Sequence, residues 1–136
     1  MTTTTTGKTL KSHACDIISG AYETGVYYWA VGLGDYTWSD EDETASVTIF
    51  EMGDSADYEE ACKGKPLHLN ETIVADWLKL MGTTSEGIQT LRAQLNDRLV
   101  KDIIMLNVAN DYDLDWDAFD YDAVIQLITL GEVRYG

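Results

Sequence analysis

The chain has 136 residues, of which 45% are hydrophobic, and this is enough for one domain with its own core. Its formal net charge is −15, from 24 acidic and nine basic residues. Such a charge argues against direct binding to nucleic acid or to an anionic membrane, and it favours a basic partner or cations. No apolar run reaches the roughly 18 residues of a membrane span.

The charges are segregated along the chain. Ser12 to Cys62 contains twelve acids and no Lys or Arg, and Asp102 to Val133 contains eight acids and again no base. Six of the nine bases lie between Lys63 and Lys101. This pattern predicts one acidic surface that is built from two regions of the sequence.

The first part of the chain predicts a leader, a helix and a hairpin. Residues 1–7 are expected to be a disordered leader, and residues 8–136 a single domain. Apolar residues at helical spacing predict a helix over about 9–23, with Gly25 as its stop. The β-branched and aromatic run 26–31 predicts a strand, and 35–38 and 45–52 predict two more extended pieces around a turn at 39–43.

The second part predicts helices. A short helix is possible within 53–66. Asn70 is the expected N-cap of a helix that ends at Gly82, and Thr83 with Glu86 resembles a capping box at the start of a long helix that reaches Leu106. Asp117 and Gly131 should bound a last helix over 118–130. The predicted fold class is α+β, with a small antiparallel sheet of two to four strands and about four helices.

The segment Asn110–Asp122, with the sequence NDYDLDWDAFDYD, is the densest acidic stretch. An extended chain would place acids on one face and Tyr112, Leu114 and Trp116 on the other. We therefore predict a face anchored in the core that displays charge outward. Its candidate partner-binding residues are Asp111, Asp113, Asp115, Asp117, Asp120 and Asp122.

A second acidic patch is expected in the turn after residue 39, with Asp40, Glu41, Asp42 and Glu43 as further partner-binding residues. Together the two regions could approximate the phosphate array of a nucleic acid. The alternative is an acidic face that serves solubility alone.

A calcium loop is another interpretation of the aspartates. Asp111, Asp113, Asp115 and Asp122 match positions 1, 3, 5 and 12 of an EF-hand loop. Trp116, however, stands at position 6, where the motif needs glycine. The sequence therefore predicts no metal site.

No catalytic signature is visible, so we predict a protein that is not an enzyme and has no cofactor. His13 and Cys15 point in different directions on one helix, and no zinc pattern exists. Glu23, Asp35 and Glu51 could supply paired carboxylates only if the fold brought them together. Cys15 and Cys62 are expected to be reduced thiols.

Tyr27, Tyr28 and Trp29 offer a further alternative, a pocket that stacks the base of a nucleotide signal. Such a sponge would need bases such as Lys63 or Arg92 near the pocket. The other interpretation is an ordinary core strand.

Three short motifs carry a resemblance. They are Glu23-x-Gly25-x-x-Tyr28-Trp29-Ala30, the helix start around Leu67, Leu69, Thr72 and Ile73, and Leu130–Gly136. In these three motifs the chain resembles small accessory proteins of actinobacterial phages. The resemblance implies expression in the cytoplasm of a bacterial host and a role in takeover or defence evasion, and it transfers no catalytic residue.

The resulting hypothesis is an inhibitor that binds a basic, nucleic-acid-binding host protein through an acidic, DNA-mimicking surface. A defence nuclease or a CRISPR complex is the expected class of target. The nucleotide sponge and the calcium-binding interaction module remain alternatives.

Overall fold

A computed structural model describes residues 9–24, 26–52, 57–109 and 112–135, except for the side chain of Tyr27. The predicted leader at residues 1–7 and the expected helix stop at Gly25 lie outside the described residues. Within the described part, six α-helices and four strands confirm the α+β class. The helices are α1 Leu10–Thr24, α2 Tyr58–Ala61, α3 Glu71–Thr83, α4 Ser85–Gln94, α5 Asp97–Leu106 and α6 Ala118–Leu130, and the strands are β1 Ala30–Gly32, β2 Thr37–Ser39, β3 Thr44–Glu51 and β4 Leu67–Asn70.

The sheet is antiparallel and is built around β3. Ser46 pairs with Thr37 of β2 and with Asn70 of β4, so β2 and β4 lie on opposite sides of β3. Ile49 likewise pairs with β1 on one side and with β4 on the other. Strands β1 and β2 therefore follow one another along the same side of β3.

Asp35 occupies the gap between β1 and β2. Its carboxylate accepts hydrogen bonds from the backbone N–H of Thr48 at 2.8 Å and from the Thr48 hydroxyl at 2.7 Å. Burial alone would raise the pKa of Asp35, but the bonds from Thr48 outweigh it and the pKa lies below its ordinary value. This acid therefore completes the sheet where the strand is interrupted.

Helix α1 lies at the centre of the domain, against α3, α6 and β3. Its buried face includes Ile17 and Ile18, which are at most 1% exposed. The apolar residues of α1 recur at helical spacing, so that one stripe can meet both the sheet and the helices. This packing buries Val47 of β3, Leu78 of α3 and Ile125 of α6 in the same core.

Several predicted helix ends are confirmed. The side chain of Asn70 accepts from the N–H of Ile73 and caps α3. Asp117 caps α6 through a reciprocal capping box with Asp120. Gly131 ends α6 with φ of 79°, a conformation that glycine adopts without steric cost.

Other boundaries differ from the prediction. Thr84, rather than Thr83, caps α4, because its hydroxyl accepts from the N–H of Gly87. The long helix expected to run to Leu106 is divided in two, since Asn96 caps α5 through the N–H of Leu99. Helix α3 continues one residue past Gly82.

The strand prediction for 26–31 is only partly right. Residues 26–28 form a 3₁₀ turn, closed by a hydrogen bond from the N–H of Trp29 to the carbonyl of Val26, and β1 begins at Ala30. Strand β4, at residues 67–70, was not predicted, although the sequence there directly precedes the cap of α3. Among the described residues, no helix is both long and apolar enough to cross a membrane.

Candidate functional site: an acidic surface around helix α1

The acidic segment, which we define as residues 112–117, is tied to α5 by one buried carboxylate. Asp102 is 8% exposed. One of its oxygens accepts from the Tyr112 hydroxyl at 2.5 Å, and the other accepts from the indole N–H of Trp116 at 2.8 Å. Two ring donors thus satisfy the charge of Asp102 and anchor the segment at both ends.

Between these anchors, exposure alternates as predicted. Asp113 and Asp115 are exposed, whereas Leu114 is half-buried and Trp116 is buried. The segment joins no sheet, so its charge display depends on the Asp102 anchor instead of on a strand ladder. Asp111 lies outside the described residues.

Asp120 is a correction to the predicted display. It is 7% exposed, and its two oxygens accept from one guanidinium nitrogen of Arg98 at 2.8 and 2.9 Å. One oxygen also accepts from the N–H of Asp117. A buried charge requires such a partner, so Asp120 is committed to joining α5 and α6 and not to an outside protein. Asp117 caps α6 and remains exposed.

Asp122 is the second correction, because it is 4% exposed and points into the domain. Its carboxylate accepts from the indole N–H of Trp29 at 2.6 Å, from the amide of Gln126 at 2.9 Å and from the Tyr28 hydroxyl. Burial, together with the bond to Asp122, raises the pKa of Tyr28 to about 12. This cluster is structural.

Gln126 extends the cluster to residues 134 and 135. Its side-chain oxygen accepts from the N–H groups of Arg134 and Tyr135 at 2.8 and 2.7 Å, and the ring of Tyr135 stacks on Trp29. Trp29 is 1% exposed and thus cannot stack on a nucleotide base. Tyr28 donates its hydroxyl to Asp122 but is 52% exposed, and the side chain of Tyr27 is outside the described part of the chain. The stacking pocket of the sponge hypothesis is therefore wrong for Trp29.

The calcium interpretation fails at Asp122. Both oxygens of this residue, which would have to supply the position-12 ligands, are engaged by Trp29, Tyr28 and Gln126. Within the described ranges, no group of three or more His, Cys, Asp or Glu side chains is arranged to hold a metal ion.

The three carboxylates considered for acid–base chemistry are held by different partners. Glu23 accepts from the Tyr36 hydroxyl at 2.8 Å, and Asp35 completes the sheet as described above. Glu51 pairs with Arg134 at 2.9 Å. These contacts bring no two of the three carboxylates together as a pair for acid–base chemistry.

The predicted acidic turn is largely solvent-facing. Asp40, Glu41 and Asp42 are exposed. Glu43 is half-buried, has a positive φ of 54°, and accepts from the hydroxyl of Thr9 at 3.2 Å. This contact places the turn beside the start of α1.

The acidic segment meets α1 at a cavity of about 320 Å³. Asp16 of α1 and Asp113 of the acidic segment both line it. The remaining lining residues are His13, Ser19, Gly20, Leu114 and Tyr121. Asp16 was not among the predicted site residues, although its position in the base-free region from Ser12 to Cys62 could have suggested it.

Cys15, on the buried side of α1, responds to the field of this acidic surface. Burial raises the pKa of its thiol to about 11, with further contributions from the charges of Glu71, Asp16, Glu43 and Asp40. Carboxylates from α1, from α3 and from the turn thus act on one atom. Both regions that the sequence marks as acidic border α1, one through Glu43 and the other through the Asp16–Asp113 cavity.

No protein-family model, curated protein or solved structure matches the chain.

Proposed function

We propose that this chain is a phage-encoded, non-enzymatic inhibitor that binds a basic host protein through the acidic surface around α1. We define that surface by Asp16, the turn residues Asp40, Glu41, Asp42 and Glu43, and the segment residues Asp113, Asp115 and Asp117. The target class is a nucleic-acid-binding defence protein, a nuclease or a CRISPR complex, whose nucleic-acid channel the acids would occupy. Asp120 and Asp122, being buried, take no part.

The observation that carries the proposal is the position in which the fold holds Asp113. It is exposed between the two ring anchors on Asp102, and it lines a cavity with Asp16 from a distant part of the chain. A rigid acidic site loses little conformational entropy on binding, and carboxylates in a recess are suited to an Arg or Lys side chain. Most of the surrounding acids have no base nearby in the sequence, so the field would also speed the approach of a basic partner.

The test begins with capture of partners from a bacterial host lysate and identification by mass spectrometry. The affinity of the captured protein is then measured for the unaltered chain and for the double variant Asp113→Asn with Asp115→Asn. We expect this variant to bind at least about tenfold more weakly, because central charged contacts dominate such interfaces. Binding by the unaltered chain should also weaken as salt is added.

A matched control is the double variant Asp76→Asn with Glu86→Gln. It removes the same charge from exposed positions on α3 and α4, outside the proposed surface. Its affinity should stay within about twofold of the original, because distant exposed charges are screened at physiological salt. Equal losses in the two double variants would show that only net charge matters, and unchanged binding in the first would refute the proposal.

A further inference from the structure

A groove on another part of the molecule is lined mainly by apolar and basic side chains, in contrast to the cavity between α1 and the acidic segment. It has a volume of about 440 Å³ and lies between α4 and α5. Val100, Ile104 and Met105 supply its apolar lining, and Arg92 and Lys101 supply positive charge. One acid, Asp97, also lines it. The groove could therefore hold an apolar group that is accompanied by negative charge.

The two bases are not used internally. In the part of the chain that the structure describes, Lys63, Arg98 and Arg134 form ion pairs, whereas the other bases form none, and Arg92 and Lys101 are the two of these that line this groove. Two unpaired bases beside an apolar floor thus suggest a partner from outside the fold.

The same chain presents a group that matches this groove. Phe119, in the first turn of α6, is 77% exposed, more than any other large hydrophobic side chain described. The exposed carboxylates of Asp115 and Asp117 precede it closely in the sequence. A ring with acids beside it is complementary to an apolar floor with bases at its edge.

The salt bridge between Arg98 and Asp120 relates the two features in space. Asp120 directly follows Phe119, and Arg98 lies in the same first turns of α5 as Asp97 and Lys101. The exposed ring and the part of the groove formed by Asp97 and Lys101 therefore lie on the adjoining first turns of α6 and α5. In a two-fold dimer, two copies can each offer a ring and receive one, because a two-fold interface uses the same patch on both subunits.

We propose that the α4–α5 groove binds the Phe119 region of a second copy of this chain. The ring occupies the floor formed by Val100, Ile104 and Met105. Asp115 or Asp117 of that copy faces Arg92 and Lys101. The groove itself lies outside the acidic surface around α1. Asp115 and Asp117 belong to both proposals, so self-association would cover them and compete with host binding, but self-association is measured with this chain alone and does not require the host-binding function.

Sedimentation equilibrium of the full chain tests the proposal over a concentration series that reaches about 1 mM at physiological salt. We expect the average mass to rise from monomer toward dimer. The variant Phe119→Ser should raise the dissociation constant at least about tenfold, because buried aromatic anchors dominate small interfaces. The control Leu33→Ser, which also removes an exposed apolar side chain, should leave it unchanged.

A charge exchange tests the pairing. Lys101→Glu and Asp115→Lys should each weaken self-association alone, and an equimolar mixture of the two variants should associate again. Monomeric mass at every concentration would overturn the proposal. So would association that Phe119→Ser leaves intact, or groove amide shifts in NMR on adding an acidic apolar peptide but not on raising the protein concentration.

Discussion

Trp116 donates its indole N–H to Asp102 across 2.8 Å, and each of these side chains is 8% exposed. This bond closes the acidic segment onto α5 and decides which side chains of the segment face outward. The outward orientation of the exposed acids is therefore stabilised by a buried contact between two residues that are fourteen positions apart in the sequence, and not by the acids themselves.

Replacing the donor in this bond should destabilise the fold. Trp116→Phe keeps an aromatic ring in place but leaves one oxygen of a buried carboxylate without its N–H donor. We expect the free energy of unfolding to fall by about 1.5–3 kcal/mol, the range for hydrogen bonds to charged groups. Urea denaturation measures it. Trp38→Phe, at a position 44% exposed, should change stability by less than about 0.5 kcal/mol. Similar effects in the two variants would contradict the anchoring role.

Asp122 should behave as a core residue although it is an acid. Asp122→Asn removes the charge that draws in the donors of Trp29, Tyr28 and Gln126. A loss of about 1.5–3 kcal/mol in unfolding free energy is expected. The comparison is Asp115→Asn, an exposed position at which the change should stay within about 0.5 kcal/mol. Thermal unfolding followed by circular dichroism distinguishes them, and an unchanged melting temperature for Asp122→Asn would refute the assignment.

The two thiols should differ in reactivity. Cys15 is 2% exposed, and burial with the surrounding carboxylates raises its pKa to about 11, so little thiolate forms at neutral pH. Cys62 is a half-buried free thiol. Treatment of the folded protein with a thiol reagent should modify one cysteine, and treatment in denaturant should modify both. Rapid modification of Cys15 in the folded chain, located by mass spectrometry, would be the contrary result.

Glu51 should make stability depend on pH in the acid range. The hydrogen bond from the Tyr135 hydroxyl, together with Arg134, lowers the pKa of Glu51 below its ordinary value of 4.5. The folded state therefore binds the proton less readily than the unfolded state, and the contribution is present above the ordinary value. It is lost as the pH falls through the lower pKa of the folded state.

The variant Glu51→Gln tests this direction of the pH dependence of stability. Its stability deficit relative to the original chain should be constant near neutral pH and should shrink as the pH falls below 4.5. Glu86→Gln, at an exposed position, should show no such trend. A deficit that grows toward acid pH would mean that the pKa of Glu51 is raised in the folded state.

Local chemistry explains why some features were predictable. Asn70, Asp117 and Gly131 act within one helical turn of themselves, so their residue types suffice to identify helix ends. The alternation of Asp113, Leu114, Asp115 and Trp116 likewise depends only on neighbouring positions. The break at Asn96 is also local, and the apolar stripe that continues across it obscured the cap.

Contacts with distant residues decide which of the predicted binding residues are exposed. Asp113 and Asp115 face outward as expected, whereas Asp120 and Asp122 do not. Asp120 is paired with Arg98, which is 22 residues away, and Asp122 with Trp29, which is 93 residues away. Because Arg98 and Trp29 are far from residue 120 in the sequence, no local pattern there indicates these contacts.

The net charge, its segregation into two acidic regions, the fold class and the helix ends at Asn70, Asp117 and Gly131 follow from the sequence alone, because they depend on composition or on interactions within a few residues. Which acids are exposed, and the position of both acidic regions beside α1, depend on contacts between distant parts of the chain. The reason is energetic. An isolated acid is far more stable in water than in a core, and it becomes a core residue only when the fold brings donors such as those of Trp29 and Arg98 to it.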